Sequence, residues 1–259
     1  MIKRITMLIT DIAVTACILL GIWVYYYRTP HKGIHAIPLS SDVIYQNKYL
    51  EGVSNDNNYQ TTNVIAASED WHKKFANHFS DTIIVTDHSY KSPSLSIELS
   101  YGNIETNQLN MSESGKHKKY GSKIAYTLAD VYISDITCFQ TAFADDTYGK
   151  VYSEKLTGMS ARIKSILAIN GDSYSNNLHK DNGTIIQNGV IYRSKSTDME
   201  TCILNWDGTM QIYTPQELDT QKLIDTGAYQ SWVFGPSLLD QKGKAKTDFL
   251  TWDYIIAFW

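Results

Sequence analysis

A short apolar run that ends on a carboxylate is the clearest place for chemistry in this sequence. Residues 165–169 read Ser-Ile-Leu-Ala-Ile and lead directly into Asn170-Gly171-Asp172. A tight polar turn at the end of a strand is a common way to present a catalytic or sugar-binding group. We therefore take Asp172 as a candidate catalytic carboxylate and Asn170 as a candidate hydrogen-bond partner of a sugar hydroxyl. The alternative for both is local, because Asp and Asn in such turns often bond their own backbone.

Candidate binding residues lie near the ends of later segments. Arg193 follows a predicted hairpin and could clamp a phosphate with two parallel hydrogen bonds, although a solvated arginine at a strand end is the simpler alternative. Tyr174 combines an apolar face with a hydroxyl, as aromatic residues at sugar-binding surfaces do. Phe234 and Gly235 open a Phe-Gly-Pro segment whose ring could wall a pocket, or simply pack in a turn.

The strands that must position these residues are predicted by apolar runs and turn chemistry. Residues 166–169 are apolar and predict a buried strand leading to the carboxylate. Asn188-Gly189 and Asp207-Gly208 each separate two strand-like runs, and both dipeptides favour a type I′ hairpin turn. The expected hairpin strands are residues 184–187 with 190–193, and residues 202–206 with 209–213.

Helix signals lie on either side of these hairpins. Thr214-Pro215-Gln216-Glu217 has an N-cap residue, a proline at the first helical position and a capping-box glutamate, so we expect a helix from there to about Asp225. Gly227 should stop it. Residues 153–164 predict a second helix, and Ser68-Glu69-Asp70 opens a third that ends near residue 80.

The remaining ordered segments look like short strands. They are residues 82–86, 95–101, 125–134 and 136–143. Since neighbouring strands are expected to pair antiparallel, the predicted class is α+β, a mostly antiparallel sheet with flanking helices. Residues 28–63 are mixed and polar with little periodicity, which is typical of a stalk or linker.

The amino terminus predicts a membrane helix. Residues 5–27 are mostly apolar with Asp11 as their one charge, end in an aromatic cluster and are long enough to span a bilayer at about 1.5 Å per residue. We expect an uncleaved, single-pass signal-anchor with the bulk of the chain outside the cytoplasm. The alternatives are a cleaved signal peptide and a lipoprotein signal with lipidation at Cys17.

Composition limits the function classes. The 259 residues include 43% hydrophobic and 19% charged residues, and the net charge is −4. No basic run carries interleaved aromatic residues, so nucleic acid is not an expected partner. No spacing of His and Cys predicts a metal site, and the residues give no indication of a cofactor. Cys138 and Cys202 could form one disulfide in an extracellular setting or remain free.

Three motifs in the same order resemble the phosphodiester glycosidase family. They are the strand ending in Asn170-Gly171-Asp172, the hairpin from Gly183 to Tyr192-Arg193 around Asn188-Gly189, and Gly227-Ala228-Tyr229-Gln230 followed by Phe234-Gly235-Pro236. The likeness extends over residues 81–259. It implies a hydrolase that cleaves glycosyl-1-phosphodiesters in cell-surface or exopolysaccharide material. The catalytic residues would then be Asp172 and Asn170.

The resemblance also implies roles for Arg193, Tyr174, Phe234 and Gly235 in holding the sugar phosphodiester or polysaccharide. Family members continue to an Asn-Pro-Arg-Thr-like strand and an Asp-Gly-Gly-Gly-Ser loop that have no counterpart here. We therefore expect a truncated domain whose activity is reduced or lost. The alternative function is a non-catalytic carbohydrate-binding surface protein. The expected organisation is a signal-anchor over residues 1–33, a stalk and helix over 34–80, and the glycosidase-like part over 81–259.

Overall fold

The computed structural model of the protein describes residues 2–29, 33–36, 60–105, 110–111, 117–118, 123–149, 152–171, 183–197, 200–233, 237, 239–240 and 243–246. The architecture is mixed α+β, with several small antiparallel sheets and a long apolar helix at the amino terminus. This confirms the fold class that the sequence predicted.

Four α-helices lie in the described part of the chain: α1 (Ile2–Arg28), α2 (Trp71–Lys74), α3 (Leu156–Ile163) and α4 (Thr220–Asp225). The strands in chain order are β1 (Ile34–His35), β2 (Gln60–Thr61), β3 (Ile84–Val85), β4 (Ser89–Lys91), β5 (Leu95–Glu105), β6 (Asn110–Met111), β7 (His117–Lys118), β8 (Lys123–Ile133), β9 (Thr147–Tyr148), β10 (Thr184–Gln187), β11 (Val190–Ser194), β12 (Thr201–Asn205), β13 (Met210–Tyr213) and β14 (Ala228–Trp232).

Helix α1 is long and apolar enough to cross a membrane from Ile5 to Arg28. Its described side chains are exposed, and a helix of this composition leaves no polar backbone group to be satisfied by lipid. Length and composition fit a single membrane anchor and also fit a signal sequence. A hydrophobic N-terminal helix that could serve as an anchor is therefore established.

The chain divides into two compact units, and the first draws on Met1–Ile65 and Thr141–Trp259. Its two larger sheets have the strand orders β10-β11-β2 and β13-β12-β14, and β1 pairs with β9. Strands β1 and β2 come from the segment 34–80 in which a stalk was expected. The predicted division into 1–33, 34–80 and 81–259 itself stays a prediction.

The apolar core of this unit lies between the two larger sheets and α4. It is formed by Ile186, Ile191, Ile203, Tyr213, Leu223 and Ala228, with Leu218 and Ile224 packed against it. Strands β10 and β14 run side by side here, and the side chain of Ser231 in β14 bonds to the backbone of β10. The Ser231 hydroxyl accepts from the Ile186 N–H at 2.8 Å and donates to the Thr184 carbonyl at 3.1 Å.

The second unit, Ala66–Gln140, contains the sheet β3-β4-β5-β8 and the small β6–β7 pair. Helix α2 begins with Asp70 as its N-cap, since the Asp70 carboxylate accepts from the Lys73 N–H at 3.0 Å. The α-helix is therefore shorter than the predicted helix from Ser68 to residue 80, and it continues only as a 3₁₀ turn, Ala76–His78. The Phe75 and His78 rings pack on Tyr132 of β8.

Two predicted strands are wrong. Residues 136–143 begin instead with the 3₁₀ turn Ile136–Cys138, because the Asp135 carboxylate accepts from the Thr137 N–H at 2.8 Å and starts a turn. Residues 166–169 form no strand, and Ile169 is 82% exposed. An apolar run becomes a buried strand only where a neighbouring strand supplies hydrogen bonds, and among the described residues none pairs with it.

The helix predicted to begin at Thr214 begins later, at Thr220, with Asp219 as N-cap. The Thr214–Glu217 pair still forms: the Glu217 carboxylate accepts from the Thr214 N–H at 3.0 Å, but within a separate turn. This bond lowers the pKa of Glu217. The predicted stop is confirmed, because Gly227 follows the helix with φ +68°.

The two predicted hairpins form, but they use different turns. Asn188 and Gly189 have φ +51° and +80°, as a type I′ turn requires. At the second hairpin only Gly208 has a positive φ, +82°, and its N–H donates to the Asn205 carbonyl. That is a type I turn with a glycine bulge, so the type I′ prediction was wrong there.

Candidate functional site

The predicted site residues fall into two groups. Asp172, Tyr174, Phe234 and Gly235 lie outside the described residues, whereas Asn170 and Arg193 are described. Asn170 is exposed, and Arg193 is half-buried. The roles assigned to all six stay predictions.

The described ends of the three motif segments gather at the carboxyl end of β14. A Cβ atom on Gly171 would lie 3.2 Å from the indole nitrogen of Trp232. A Cβ atom on Gly183 would lie 3.1 Å from a methyl group of Val233. The backbones at Gly171 and Gly183 thus approach two adjacent residues, Trp232 and Val233. Sequence reasoning did not single out Trp232, although it lies between two quoted motif segments.

A hydrogen bond to the backbone of Gly183 holds the Arg193 side chain near this end of β14. Its Nε–H donates to the Gly183 carbonyl at 3.1 Å, and the Lys195 N–H donates to that carbonyl at 3.1 Å as well. Gly183 has φ +77°, so glycine suits this backbone. The side chain of Arg193 is therefore held against the start of the β10–β11 hairpin. An indole, an amide and a guanidinium are groups that bind sugar rings and phosphate.

A buried amide lies under the hairpin turn. Gln230 is 0% exposed; its Oε1 accepts from the Thr141 hydroxyl at 2.6 Å and from the Asn188 N–H at 3.1 Å. Its Nε2 donates to the Asn188 side-chain oxygen at 2.6 Å. Next to it, the Gln187 Nε2 donates to the Thr141 carbonyl at 2.8 Å. These bonds fix residue 141 against the hairpin.

The Asn188-Gly189 turn is also held from its other side. The Gly189 N–H donates to the Tyr229 carbonyl at 2.8 Å, and the Thr62 N–H donates to the Gly189 carbonyl at 2.9 Å. The Thr62 hydroxyl donates to the Ala228 carbonyl and accepts from the Trp206 indole N–H. A hairpin turn bonded on both sides is part of the interior, so Asn188 and Gly189 are structural residues.

An ion-pair network lies between α3 and the turn before β9. Arg162 forms bonds with Glu154 at 2.7 and 3.2 Å, pairs with Asp146 and donates to the Phe143 carbonyl. These bonds, together with the Asp145 N–H, lower the pKa of Glu154, and the two carboxylates raise the pKa of Arg162. Asp145 and Asp146 both have positive φ, so this network holds a strained turn in place.

Of the three cysteines, Cys17 and Cys138 are exposed and Cys202 is half-buried. All three are free thiols, so of the two alternatives for Cys138 and Cys202 the structure has the free thiols and not the disulfide. Burial raises the pKa of Cys202, which keeps its thiol protonated. Within the described ranges, no group of three or more His, Cys, Asp or Glu side chains could hold a metal ion.

Comparison with known proteins gives one partial match. The chain is 31% identical over 109 residues to the SPbeta prophage-derived uncharacterized protein YomE of Bacillus subtilis (strain 168). The match covers 40% of this chain and 17% of that protein. The chain therefore spans less than a fifth of the length of this curated relative. No protein-family model matches the chain, and no solved structure matches it significantly.

Proposed function

We propose that the chain carries part of a phosphodiester glycosidase-like domain that hydrolyses glycosyl-1-phosphodiesters in cell-surface or exopolysaccharide material. One observation supports the proposal most: Gly171 of the first motif lies close to Trp232, and Gly183 of the second motif, which is bonded to Arg193, lies close to Val233. Residues that act together in a reaction must be close in space, and these segments are far apart in sequence.

The chemistry assigns each predicted residue a task. Breaking the bond between the anomeric carbon and the phosphate oxygen develops oxocarbenium-like charge on the sugar. The Asp172 carboxylate would attack the anomeric carbon or take a proton from the attacking water, and Asn170 would orient a sugar hydroxyl. Arg193 would neutralise the phosphate. Phosphate leaves readily, so the site has little need of a strong general acid.

Tyr174, Phe234 and Gly235 would complete the site by contacting the sugar. The proposed setting is a single-pass membrane protein whose bulk lies outside the cytoplasm, with α1 as an uncleaved signal-anchor. Its expected partners are the membrane, through α1, and a sugar phosphodiester or polysaccharide.

A second candidate function is carbohydrate binding without catalysis, in exopolysaccharide assembly. One observation favours it: the Nε–H of Arg193 is engaged by the Gly183 carbonyl. With this N–H occupied, the guanidinium has fewer donors with which to bind the phosphate of a substrate. A protein of this kind would hold a glycan through Trp232, Asn170 and Arg193 and release no sugar.

The test is an assay of sugar release from a panel of sugar-1-phosphodiesters by the full chain in detergent. Asp172→Asn should reduce turnover by roughly 100-fold or more, the contribution expected of a catalytic base or nucleophile. Asp87→Asn is the matched control, since Asp87 is an exposed carboxylate in the second unit.

Each outcome separates the two functions. Turnover that is lost in Asp172→Asn and kept in Asp87→Asn supports the hydrolase. Turnover that Asp172→Asn leaves unchanged contradicts the site assignment. Glycan retention without turnover supports the binding protein, and the absence of both contradicts both proposals.

A further inference from the structure

The second unit contains a long two-stranded ribbon whose outer half has no other strand beside it in the described part of the chain. Strand β4 pairs with β5 as far as Glu98, and the Leu99 N–H adds a last bond to the His88 carbonyl at 2.7 Å. Beyond Leu99, β8 is the only described strand that pairs with β5, and it does so without a register shift. We call residues 100–105 and 123–128 the hairpin arm.

Both faces of the hairpin arm expose large apolar side chains. Tyr101 is 61% exposed on one face. Ile104, Tyr126 and Leu128 are 57%, 47% and 60% exposed, and the register places them on the other face. A two-stranded hairpin alone is marginally stable in water, and three or more strands with a buried face are usually needed. Pairing with another strand would therefore cover exposed apolar surface and stabilise the hairpin arm.

Among the described residues no strand pairs with the outer edge of β8, so this edge presents its backbone groups to such a strand. The Leu99 N–H points toward His88 and thus away from β8, so the opposed pair Leu99–Ala129 is not hydrogen-bonded between β5 and β8. Hydrogen-bonded and non-hydrogen-bonded pairs alternate along an antiparallel ladder. The pair Tyr101–Thr127, two residues further along, is therefore also non-hydrogen-bonded. The N–H and C=O groups of Ala129 and Thr127 consequently point outward from the sheet edge.

This edge lacks the features that protect natural sheet edges. Residues 124–129 read Ile-Ala-Tyr-Thr-Leu-Ala, with no charge and no proline, and the ladder to β5 has no bulge. Natural proteins usually protect an edge with charged residues, proline, bulges or very short strands. The opposite edge of the same sheet is β3, which is only two residues long, and beyond Leu99 the outer edge of β5 contains Gly102 and ends at the charged Glu105. The regular, uncharged edge of β8 is thus the one suited to strand addition.

We propose that β8 pairs antiparallel, edge to edge, with β8 of a second copy of this chain, about a twofold axis at Thr127. An antiparallel edge can always meet its own copy in this way, since the same surface serves both partners. At Thr127 the outward N–H and C=O of one copy meet those of the other. The pairing extends the sheet without interruption from one copy into the next.

The side chains of this register are compatible with one another. Tyr126, whose ring covers Gly102 of its own hairpin, lies opposite Leu128 of the second copy, so both positions at this pair are uncharged. Asp130 lies opposite Ile124 of the second copy, so the two Asp130 carboxylates are separated by about 20 Å, six residues of extended strand. An uncharged run centred on the axis favours its own copy over a strongly charged partner.

The test is the oligomeric state of the full chain in detergent, measured by analytical ultracentrifugation over a range of concentrations. We expect a dimer. Thr127→Lys places two ammonium groups opposite each other at the axis and should weaken dimerisation at least about tenfold. Asn103→Lys is the matched control, because Asn103 is exposed in the same arm on β5, away from the outer edge of β8, and it should leave the dissociation constant unchanged.

A cross-link keeps the test independent of the folding of the lysine variant. The Cβ atoms of a hydrogen-bonded pair are about 5.5 Å apart, which is long for a disulfide but within reach of a short bis-maleimide. Thr127→Cys should therefore be cross-linked between copies by that reagent, while Asn103→Cys and the parent chain with its three native cysteines should not. A chain that sediments as a monomer, or equal behaviour of the position 127 and 103 variants, would overturn the proposal.

Discussion

Gly189 illustrates how one residue type is required by both backbone and packing. Its φ of +80° lies in the left-handed region, and a Cβ atom there would lie 2.7 Å from the Trp206 ring. The turn is closed by two backbone bonds, to Tyr229 and from Thr62. A side chain at this position would have to displace an indole that is itself buried.

Gly189→Ala should therefore lower the free energy of unfolding by at least about 1–2 kcal/mol, the cost of a left-handed non-glycine residue, with the clash added to it. Urea unfolding followed by tryptophan fluorescence measures the change. Gly158→Ala is the control: Gly158 lies inside α3 with no heavy atom closer than 3.7 Å, and alanine there should stabilise the helix by about 0.5–1 kcal/mol. Equal effects of the two variants would contradict this account.

Gln230 is the residue whose polar groups matter most in the interior. Gln230→Leu would keep the volume but leave the Asn188 N–H and side-chain oxygen without partners. Each buried polar group left unsatisfied costs about 1–3 kcal/mol, so we expect the free energy of unfolding, measured in urea, to fall by about 3 kcal/mol.

Gln221→Leu is the matched control for that prediction. Gln221 is exposed on α4 and donates to Asp225 at 2.8 Å. Surface substitutions of this kind usually change stability by less than about 0.5 kcal/mol. If Gln221→Leu destabilised the protein as much as Gln230→Leu, the buried network would not be the cause.

At the scale of elements, the Arg162 network makes the stability of the α3 region depend on pH. The pKa of Glu154 is lowered by hydrogen bonds from Arg162 and from the Asp145 N–H. A carboxylate with a lowered folded-state pKa stabilises the protein above its ordinary value of about 4.3, and this contribution disappears as the pH falls through the folded value.

The stability difference between the parent and Glu154→Gln should therefore be largest near neutral pH and shrink below about pH 4. Urea midpoints measured from pH 7 to pH 3 test this. Glu69→Gln is the control, because the Glu69–Lys74 pair is exposed to solvent, where such pairs contribute little. A Glu154→Gln difference that stays constant over the whole range would rule out the proposed linkage.

The elements also show where local sequence patterns are sufficient. Asn188-Gly189 specifies its own turn, because two adjacent positive φ angles suit few other residue pairs. At Asp207-Gly208 the same kind of dipeptide gives another turn, since the Asp207 carboxylate accepts from the Thr209 N–H and hydroxyl and holds the loop one residue longer. Thr214–Glu217 likewise makes its predicted bond without beginning the helix.

At the scale of the whole molecule, the apolar helix α1 predicts that the protein associates with membranes. The full chain should remain with membranes after an alkaline wash, and a chain that begins at residue 29 should not, because about 20 apolar residues suffice to span the bilayer. Leu19→Arg should weaken the association, since an arginine near the centre of a membrane helix costs about 2.5–3.5 kcal/mol, and Leu19→Ile should not. Recovery of a shortened amino terminus would instead identify a cleaved signal sequence.

Membrane orientation can be tested at Cys138, which is exposed. In intact cells that express a Cys17→Ser, Cys202→Ser chain, a membrane-impermeant maleimide should label Cys138 if the bulk of the chain lies outside the cytoplasm. The same chain with Cys138→Ser gives the background. Labelling that requires cell lysis would place the bulk of the chain inside and contradict the proposed orientation.

The sequence by itself determined the features that depend on neighbouring residues: the long apolar helix α1, the type I′ turn at Asn188-Gly189, the stop at Gly227 and the α+β class. These follow from local hydropathy and from φ angles that few residues adopt. Only the tertiary structure decided that residues 166–169 do not form a strand, that Thr62 and Gln230 hold the hairpin turn, and that Gly171 and Gly183 meet at Trp232 and Val233. The physical reason is that these contacts join segments distant in sequence, and no local pattern records which distant segment will supply the missing hydrogen bond or packing surface.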